Sequence, residues 1–549
     1  MTTSCAFTFA APARWPQPLP ASRIFLLRLV ACLALLLATG AGAAAADDDS
    51  KGGQPAEKEG SDEASGGKKA DLPVPKEASS VTHHQVSIAG QEIGYTATAG
   101  TLLIRKAEDP IASVFYVAYT RDGVQDLDHR PVTFFYNGGP GSSTIWLHMG
   151  SFGPRKVETA NAQPSGPAPY RVVNNELSLL DKSDLVFIDA VGTGFSKAAG
   201  KGKNKDFWGV DGDVDAFAKF INRYVTLNHR WNSPKFLFGE SYGTTRSAAL
   251  AYHLHEEGMD LNGVVLLSSA LNLGTLFSPM IDEPLENILP TYAAIAWFHD
   301  KLAPKPADLG AFLQQARDYA VGGYAQALAK GQTLPEAQLD AVAQKLHEFT
   351  GLSVQYIKDA NLRVEPGRFR KELLRDERRS VGRYDGRFEG IDFDAAGEAP
   401  GSDPSQSAVE GAFVAAFNSY VAGELNYSQD GPYAVLNPEI FKDWDFKHKL
   451  PEFLHFPIPY PMVFVNADLA QAMRENPHLK VLSANGLFDL ATPFFGTERD
   501  LNQMELDPSL RANLSFTYYP SGHMVYLNPE AHKAFRADLA AFYESASHP

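Results

Sequence analysis

A serine flanked by glycines lies between a predicted strand and a predicted helix in residues 234–251. The stretch reads Pro-Lys-Phe-Leu-Phe-Gly-Glu-Ser-Tyr-Gly-Thr-Thr-Arg-Ser-Ala-Ala-Leu-Ala, and Ser241 is the serine between the two glycines. The apolar run before the turn is typical of a buried strand, and the Ala- and Leu-rich run after it favours a helix. Such a turn exposes Oγ above a helix N-terminus, which stabilises negative charge. The pattern predicts a nucleophile, although a strand-to-helix turn in any α/β protein also fits it.

Other apolar runs separated by helical patterns predict a mainly parallel sheet with helices on both faces. The sheet signal stops in residues 273–456, which hold helical stretches and an irregular Arg-rich part at 375–387. We therefore expect one domain over residues 81–549, interrupted at about 273–456 by a helical lid insertion. A separate second domain is the alternative, but no linker bounds the segment. The runs that predict parallel strands are residues 131–136, 184–188, 236–238, 263–267, 479–484 and 514–519.

The N-terminal residues have the pattern of a secretory signal peptide. Arg23 and Arg28 precede an apolar segment at 29–38, and small residues follow at 40–46. This order of basic, apolar and small residues predicts that residues 1–46 are removed and that the chain is exported to the periplasm or secreted. The apolar segment is too short for a comfortable membrane span, so we expect no stable membrane insertion after cleavage.

Residues 47–80 are charged, carry Gly, Ser and Pro, and contain few large apolar side chains, which predicts a disordered linker. The only two cysteines, Cys5 and Cys32, lie in the predicted signal segment, so the mature chain is expected to have no disulfide and no thiol nucleophile. The net charge of the chain is −16, and no basic stripe is apparent. These features argue against nucleic acid as a partner.

Two loops downstream of Ser241 supply the groups that activate a serine. A serine hydroxyl needs a base to take its proton, and an imidazole base works best when an acid fixes its tautomer. The apolar strand at 479–484 leads to a loop with Asp489, and the next strand leads to a Gly-His loop with His523. Alone, Asp489 would be interpreted as a turn cap and His523 as a surface residue. The order Ser, Asp, His and the placement at strand ends predict a catalytic triad.

A glycine-rich loop after the strand at 131–136 predicts an oxyanion hole. Residues 136–143 read Tyr-Asn-Gly-Gly-Pro-Gly-Ser-Ser, a rigid turn that a substrate carbonyl can approach closely. We expect the N–H groups of Gly139 and Tyr242 to point at the oxyanion. A phosphate-binding loop is the alternative, but no Lys-Ser/Thr follows the glycines. The histidines lack metal-ligand spacing, so no metal or other cofactor is expected.

Five motifs, in this order along the chain, together resemble the serine carboxypeptidase family of α/β-hydrolases. The resemblance covers most of residues 125–270 and 455–545, and the combination is far more specific than any single motif. The motifs are Asn-Gly-Gly-Pro-Gly-Ser-Ser at 137–143, Asp-Ala-Val-Gly-Thr-Gly-Phe-Ser at 189–196, Gly-Glu-Ser-Tyr-Gly at 239–243, Asn-Gly-Leu-Phe-Asp at 485–489 and Gly-His-Met-Val at 522–525.

The resemblance implies an α/β-hydrolase fold and an enzyme that releases C-terminal residues from peptides, often at acidic pH. Peptide or protein C-termini would be its partners. It implies a triad of Ser241, Asp489 and His523, an oxyanion hole of Gly139 and Tyr242, and recognition of the substrate's terminal carboxylate by Asn137 and Glu240. The sequence leaves the oligomeric state open.

One departure from the family pattern concerns Glu240. The family has a second glutamate shortly after the glycine-rich loop, and the matching position here is Ser151. Two close carboxyls share a proton, which then donates to the substrate carboxylate. His148 is a possible substitute for the missing acid. Without the pair, an esterase or acyltransferase with the same triad is an alternative, and a catalytically silent binding protein is another.

Overall fold

The computed structural model describes residues 71–547. The predicted signal peptide and most of the predicted linker lie outside the described residues. Within the described part, Leu72 forms an isolated β-bridge with Gly200, and the first strand begins at Ser79. All described residues belong to one compact unit.

Ten strands form one mixed sheet, in the order β1-β2-β3-β7-β4-β9-β10-β13-β14 with β8 beside β3. The pairs β4–β7, β4–β9, β9–β10, β10–β13 and β13–β14 are parallel, and β1, β2, β3 and β8 pair antiparallel at one side. The predicted mainly parallel sheet is therefore confirmed. Its strands are β1 (Ser79–Ile88), β2 (Gln91–Lys106), β3 (Asp109–Arg121), β4 (Val132–Tyr136), β7 (Asp184–Ile188), β8 (Lys197–Ala198), β9 (Lys235–Ser241), β10 (Gly263–Ser269), β13 (Lys480–Gly486) and β14 (Leu514–Tyr519).

Helices cover both faces of the sheet because successive strand residues point to opposite sides. On one face, Phe134 of β4 packs against Tyr224, with ring centroids 5.8 Å apart. On the other face, Phe236 of β9 packs against Tyr543 at 4.4 Å. The helices outside the insertion are α1 (Ile145–Gly150), α2 (Val210–Leu227), α3 (Tyr242–Glu256), α14 (Asn466–Glu475), α15 (Phe494–Asn502) and α16 (Pro529–Ser547), and β5 (Arg155–Val157) pairs with β6 (Val172–Asn174) outside the main sheet.

The segment between β10 and α14 is mainly helical and has its own apolar core. That core includes Phe488 and Leu490, which flank Asp489, so the insertion packs directly beside a predicted site residue. The Arg-rich part, predicted to be irregular, contains one short strand, β11 (Ser380–Val381), which pairs with β12 (Glu389–Gly390) just after it. The helices are α4 (Leu273–Phe277), α5 (Glu283–Phe298), α6 (Leu309–Tyr319), α7 (Ala325–Lys330), α8 (Glu336–Thr350), α9 (Val354–Asp359), α10 (Pro366–Glu372), α11 (Pro404–Ser407), α12 (Glu410–Gly423) and α13 (Pro438–Asp443).

The parallel strands bring four loops to one edge of the sheet. The segments that leave the carboxyl ends of β4, β13 and β14 carry Asn137, Gly139, Asp489 and His523. Glu240 and Ser241 end β9, and Tyr242 begins α3 directly after it. This edge is where open α/β sheets bind ligands. Among residues 71–547, no helix is both long enough and apolar enough to cross a membrane.

Candidate active site

Ser241 occupies a strained turn between β9 and α3. It is the last residue of the strand, and the helix begins at the next residue. Its φ of 62° and ψ of −130° are unusual for a residue with a side chain. A Cβ on Gly239 would collide with the carbonyl of Gly243, so the turn requires glycine there. The serine is half-buried, as a nucleophile that must meet a substrate should be.

His523 and Asp489 form a buried pair. The imidazole Nδ1 lies 2.7 Å from the Asp489 Oδ2. Burial alone would lower the pKa of His523, but the adjacent Asp489 carboxylate outweighs that cost, and the pKa of His523 is raised. Because Nδ1 faces a carboxylate, the proton belongs on Nδ1 and Nε2 is left free to act as a base.

The donors around Asp489 hold its carboxylate in one orientation. Oδ1 accepts hydrogen bonds from the amides of Ala491 (2.8 Å) and Thr492 (3.0 Å), and Oδ2 accepts one from the Thr492 hydroxyl (2.6 Å). The same hydroxyl lies 3.2 Å from Nδ1 of His523. Thr492 was not singled out from the sequence, although an Asp followed by Thr at the third position is a common turn pattern.

The loop that carries His523, called the histidine loop, is hydrogen-bonded to β10, the strand next to Ser241. Ser268 of β10 donates from its hydroxyl to the His523 carbonyl at 2.7 Å. The next residue, Ser269, lies opposite Ser241 in the β9–β10 pairing. Glu240 is close enough to His523 that its charge contributes to raising the pKa of the imidazole. These contacts place the His523 backbone against β10, the strand next to Ser241, at the carboxyl edge of the sheet.

The glycine-rich loop packs against the N-terminus of α3. A Cβ on Gly138 would collide with the amide nitrogens of Tyr242 and Gly243, so this contact requires glycine. Gly139 has a φ of 105°, and within residues 71–547 its N–H donates no hydrogen bond. Tyr242 is the first residue of α3, where an N–H has no acceptor within the helix. Both amides predicted for the oxyanion hole are therefore free of acceptors in their own loop or helix.

Asn137 and Glu240 are in contact beside the nucleophile. Asn137 donates from Nδ2 to Oε1 of Glu240 at 2.9 Å, and its Oδ1 accepts from the Leu147 amide at 3.0 Å. Glu240 is buried, and this desolvation raises its pKa to about 7 against an opposing effect of the nearby His523. The second oxygen, Oε2, is buried and has no hydrogen-bond partner among the described residues.

Ser151 and His148 do not supply the missing acid. The Ser151 hydroxyl donates to the Leu147 carbonyl of its own helix at 2.5 Å. The His148 Nε2 lies 2.6 Å from the Tyr119 hydroxyl, and its ring stacks on Phe187 with centroids 4.5 Å apart. Burial lowers the pKa of His148 to about 3, so the ring is neutral at neutral pH. Neither side chain forms a hydrogen bond with Glu240.

The Arg-rich part of the insertion packs on the histidine loop, which the sequence did not indicate. The Tyr384 carbonyl accepts the His523 N–H at 2.6 Å, and the two rings lie 5.2 Å apart. Behind them, Arg387 and Asp385 form a buried ion pair at 2.5 Å, and Arg387 also donates to the Ser521 hydroxyl at 3.2 Å. The insertion therefore helps to hold the imidazole of His523 in place.

One family model matches the part of the chain that carries the glycine-rich loop and the Ser241 turn. The model described as serine carboxypeptidase matches residues 90–304. Over these residues the chain is similar to the serine carboxypeptidase family. The match indicates a hydrolase of the serine carboxypeptidase type. Asp489 and His523 lie beyond the matched residues, so their place in the site rests on the geometry above.

Solved structures of other hydrolases are similar at low identity. The prohormone-processing carboxypeptidase Kex1 from Saccharomyces cerevisiae has a TM-score of 0.48 and 14% identity, with 81% of this chain and 91% of that chain covered. The proline iminopeptidase from Mycobacterium smegmatis has a TM-score of 0.34 and 14% identity, with 81% and 98% covered. A carboxyl esterase from Bacillus coagulans has a TM-score of 0.34 and 11% identity, with 82% and 99% covered. The likeness to the serine carboxypeptidase family rests on the family model and not on these similarities. A comparison with curated proteins gives no significant match.

The described part of the chain offers no ready metal site. Within residues 71–547, no three His, Cys, Asp or Glu side chains are grouped so that they could hold a metal ion. The chemistry derived below uses the chain's own side chains and amides.

Proposed function

We propose that this protein is an exported carboxypeptidase that releases C-terminal residues from peptides through an acyl-enzyme on Ser241. The observation that carries the proposal is the buried Asn137–Glu240 pair directly before the nucleophile. A carboxyl whose pKa is raised to about 7 holds its proton at mildly acidic pH and can donate it to the terminal carboxylate of a peptide. An endopeptidase or an esterase has no use for such a donor at this position.

The proposed reaction begins when His523 Nε2 takes the proton of Ser241 Oγ as the oxygen attacks the scissile carbonyl. The Asp489 carboxylate stabilises the imidazolium that forms. The amides of Gly139 and Tyr242 stabilise the oxyanion, and the loss of one such donor typically costs about 3 kcal/mol of transition-state stabilisation. The C–N bond then breaks, and the imidazolium gives its proton to the leaving amino group. Water, deprotonated by His523, hydrolyses the ester on Ser241.

The proposed role of Glu240 explains why only the last peptide bond is cut. A substrate carboxylate that accepts a hydrogen bond from Glu240, next to Ser241 in the chain, places the adjacent peptide bond over the serine. A bond further inside the peptide has no free carboxylate at that distance. Charge-assisted hydrogen bonds contribute about 1.5–3 kcal/mol, and this corresponds to a rate preference of about 10- to 100-fold.

Export is supported by sequence alone. The basic, apolar and small-residue order of residues 23–46 is that of a secretory signal peptide. The expected mature enzyme is periplasmic or secreted.

A second candidate is an esterase or acyltransferase that uses the same triad. Ser151, in place of the family's second glutamate, points back to its own helix, and Glu240 therefore lacks a carboxyl partner. A silent binding protein is less well supported because Asp489 and His523 form a buried hydrogen-bonded pair, which a binding protein does not need.

Two peptides of one sequence, one with a free C-terminus and one amidated, test the proposal. We expect kcat/KM for the free acid to exceed that for the amide by about 10- to 100-fold at pH 6, since only the free acid accepts a hydrogen bond from Glu240. Equal rates on the two peptides, or activity on esters alone, would reject carboxypeptidase specificity in favour of the esterase.

A further inference from the structure

Tyr526 presents a buried hydroxyl to Glu240. The hydroxyl of Tyr526 and Oε2 of Glu240 are both buried and face each other. Neither atom forms a hydrogen bond of good geometry within the described residues, with the other or with a third group. The two groups are close enough to affect each other. Burial and then the Glu240 charge raise the pKa of Tyr526, and the hydroxyl opposes the rise in the pKa of Glu240 that burial causes.

The space that the tyrosine ring fills is open because residue 150 is glycine. A Cβ on Gly150 would lie 2.5 Å from Cε2 of the Tyr526 ring and 3.0 Å from the ring of Phe413. Gly150 directly precedes Ser151, the position at which the family pattern has its second glutamate. The aromatic ring from the histidine loop thus reaches the Glu240 carboxyl from the helix end where that glutamate would stand.

We propose that the Tyr526 hydroxyl, together with the Glu240 carboxyl, donates a hydrogen bond to the terminal carboxylate of the substrate and so takes the place of a second acid. The inference rests on the carboxypeptidase function proposed above. Two buried polar atoms without partners are costly, and a ligand that pairs with both relieves the cost. A carboxylate has two acceptor oxygens, one for each donor.

A phenol differs from a carboxylic acid in this role because it keeps its proton over the whole working range. The pKa of Tyr526 lies well above its ordinary value, so the hydroxyl remains a donor when Glu240 ionises. The other titratable groups that act on Glu240 are His523 and Asp489. Since the hydroxyl also lowers the pKa of Glu240 relative to burial alone, its removal should move that pKa upward.

The test compares Tyr526→Phe with the wild-type enzyme on the matched free-acid and amidated peptides. We expect the free-acid preference to fall about tenfold, as for loss of one hydrogen bond to a charged group, with most of the change in KM. The alkaline limb of the free-acid profile should move to higher pH. Tyr95→Phe is the matched control, because Tyr95 also has a buried hydroxyl without a partner but lies on β2.

The outcomes separate this inference from the function on which it rests. A wild-type enzyme without free-acid preference would reject the carboxypeptidase proposal and, with it, the role of Tyr526. A wild-type preference that Tyr526→Phe leaves intact would overturn the role of Tyr526 alone. Equal losses on both peptides, with the alkaline limb unmoved, would also overturn it, since they indicate a merely structural tyrosine.

Discussion

Two buried carboxyls, Asp489 and Glu240, belong to the proposed site but differ in their hydrogen bonds. Asp489 interacts with two amides, a hydroxyl and the imidazole of His523. Glu240 accepts one hydrogen bond, from Asn137, and its second oxygen has no partner among residues 71–547. Both side chains are at most 2% exposed, so solvent access does not distinguish them.

The difference indicates what each carboxyl is prepared to do. Four polar partners suit a carboxylate that carries charge and holds a fixed orientation, which is what an acid behind a catalytic imidazole needs. A carboxyl with one donor and a pKa raised to about 7 suits a group that exchanges its proton and receives a ligand. The hydrogen bonds of Asp489 are all formed without substrate, whereas we expect those of Glu240 to be completed when a substrate binds.

The largest expected effect comes from removing the hydroxyl of Ser241, the proposed nucleophile. Ser241→Ala should lower kcat by about 10⁶-fold, the typical cost of losing a triad serine. The variant should still bind the free-acid peptide more tightly than the amide, because the Glu240 side is intact; calorimetric titration measures this. Turnover at the wild-type rate would remove Ser241 from the mechanism.

Replacing Asp489 should affect every substrate alike. Asp489→Asn should lower kcat by about 10⁴-fold, because the amide favours the wrong imidazole tautomer. The factor should be the same for free-acid and amidated peptides, since neither contacts Asp489. A loss of activity confined to the free-acid peptide would show that Asp489 and Glu240 do not act independently.

Replacing Glu240 should affect free-acid and amidated peptides differently. In the wild type, kcat/KM on free-acid peptides should fall as pH rises through about 7, where Glu240 loses the proton that it donates. It should also fall below neutral pH, on both peptides, as His523, whose pKa is raised, takes up a proton. Glu240→Gln should abolish the alkaline limb and lower free-acid kcat/KM by about tenfold at pH 6. pH profiles on both peptides check this, and an alkaline limb that persists in the variant would contradict it.

The smallest expected effect comes from removing the Thr492 hydroxyl, one of the hydrogen-bond donors to Asp489. Thr492→Val removes the hydroxyl bonded to Asp489 and keeps the side-chain shape. Because the two amide donors remain, we expect kcat to fall only about 3- to 10-fold, equally on both peptides. A loss as large as that of Asp489→Asn would mean that the Thr492 hydroxyl, and not the amides, orients the carboxylate.

The sequence predicted those parts of the site that depend on local pattern. The Ser241 turn is read from a strand, two glycines and a helix, and each of these features lies within 18 residues of chain. The loop of Asn137 and Gly139 follows a strand in the same way. Asp489 and His523 could be placed because parallel strands end at one edge of a sheet.

The contacts that the sequence did not indicate join distant segments. The Tyr384 carbonyl receives the His523 N–H because the insertion folds back over the histidine loop, and no local pattern encodes that approach. Tyr526 reaches Glu240 only because Gly150, far away in the chain, leaves space for its ring. Contacts that depend on packing between distant segments therefore could not be predicted from the sequence.

The most direct test of the account is a time course by mass spectrometry on a peptide with a blocked N-terminus and a free C-terminus, at pH 6. We expect products shortened one residue at a time from the C-terminal end, and none with Ser241→Ala. Internal cleavage products, or an unchanged peptide under conditions in which a simple ester is hydrolysed, would contradict the account.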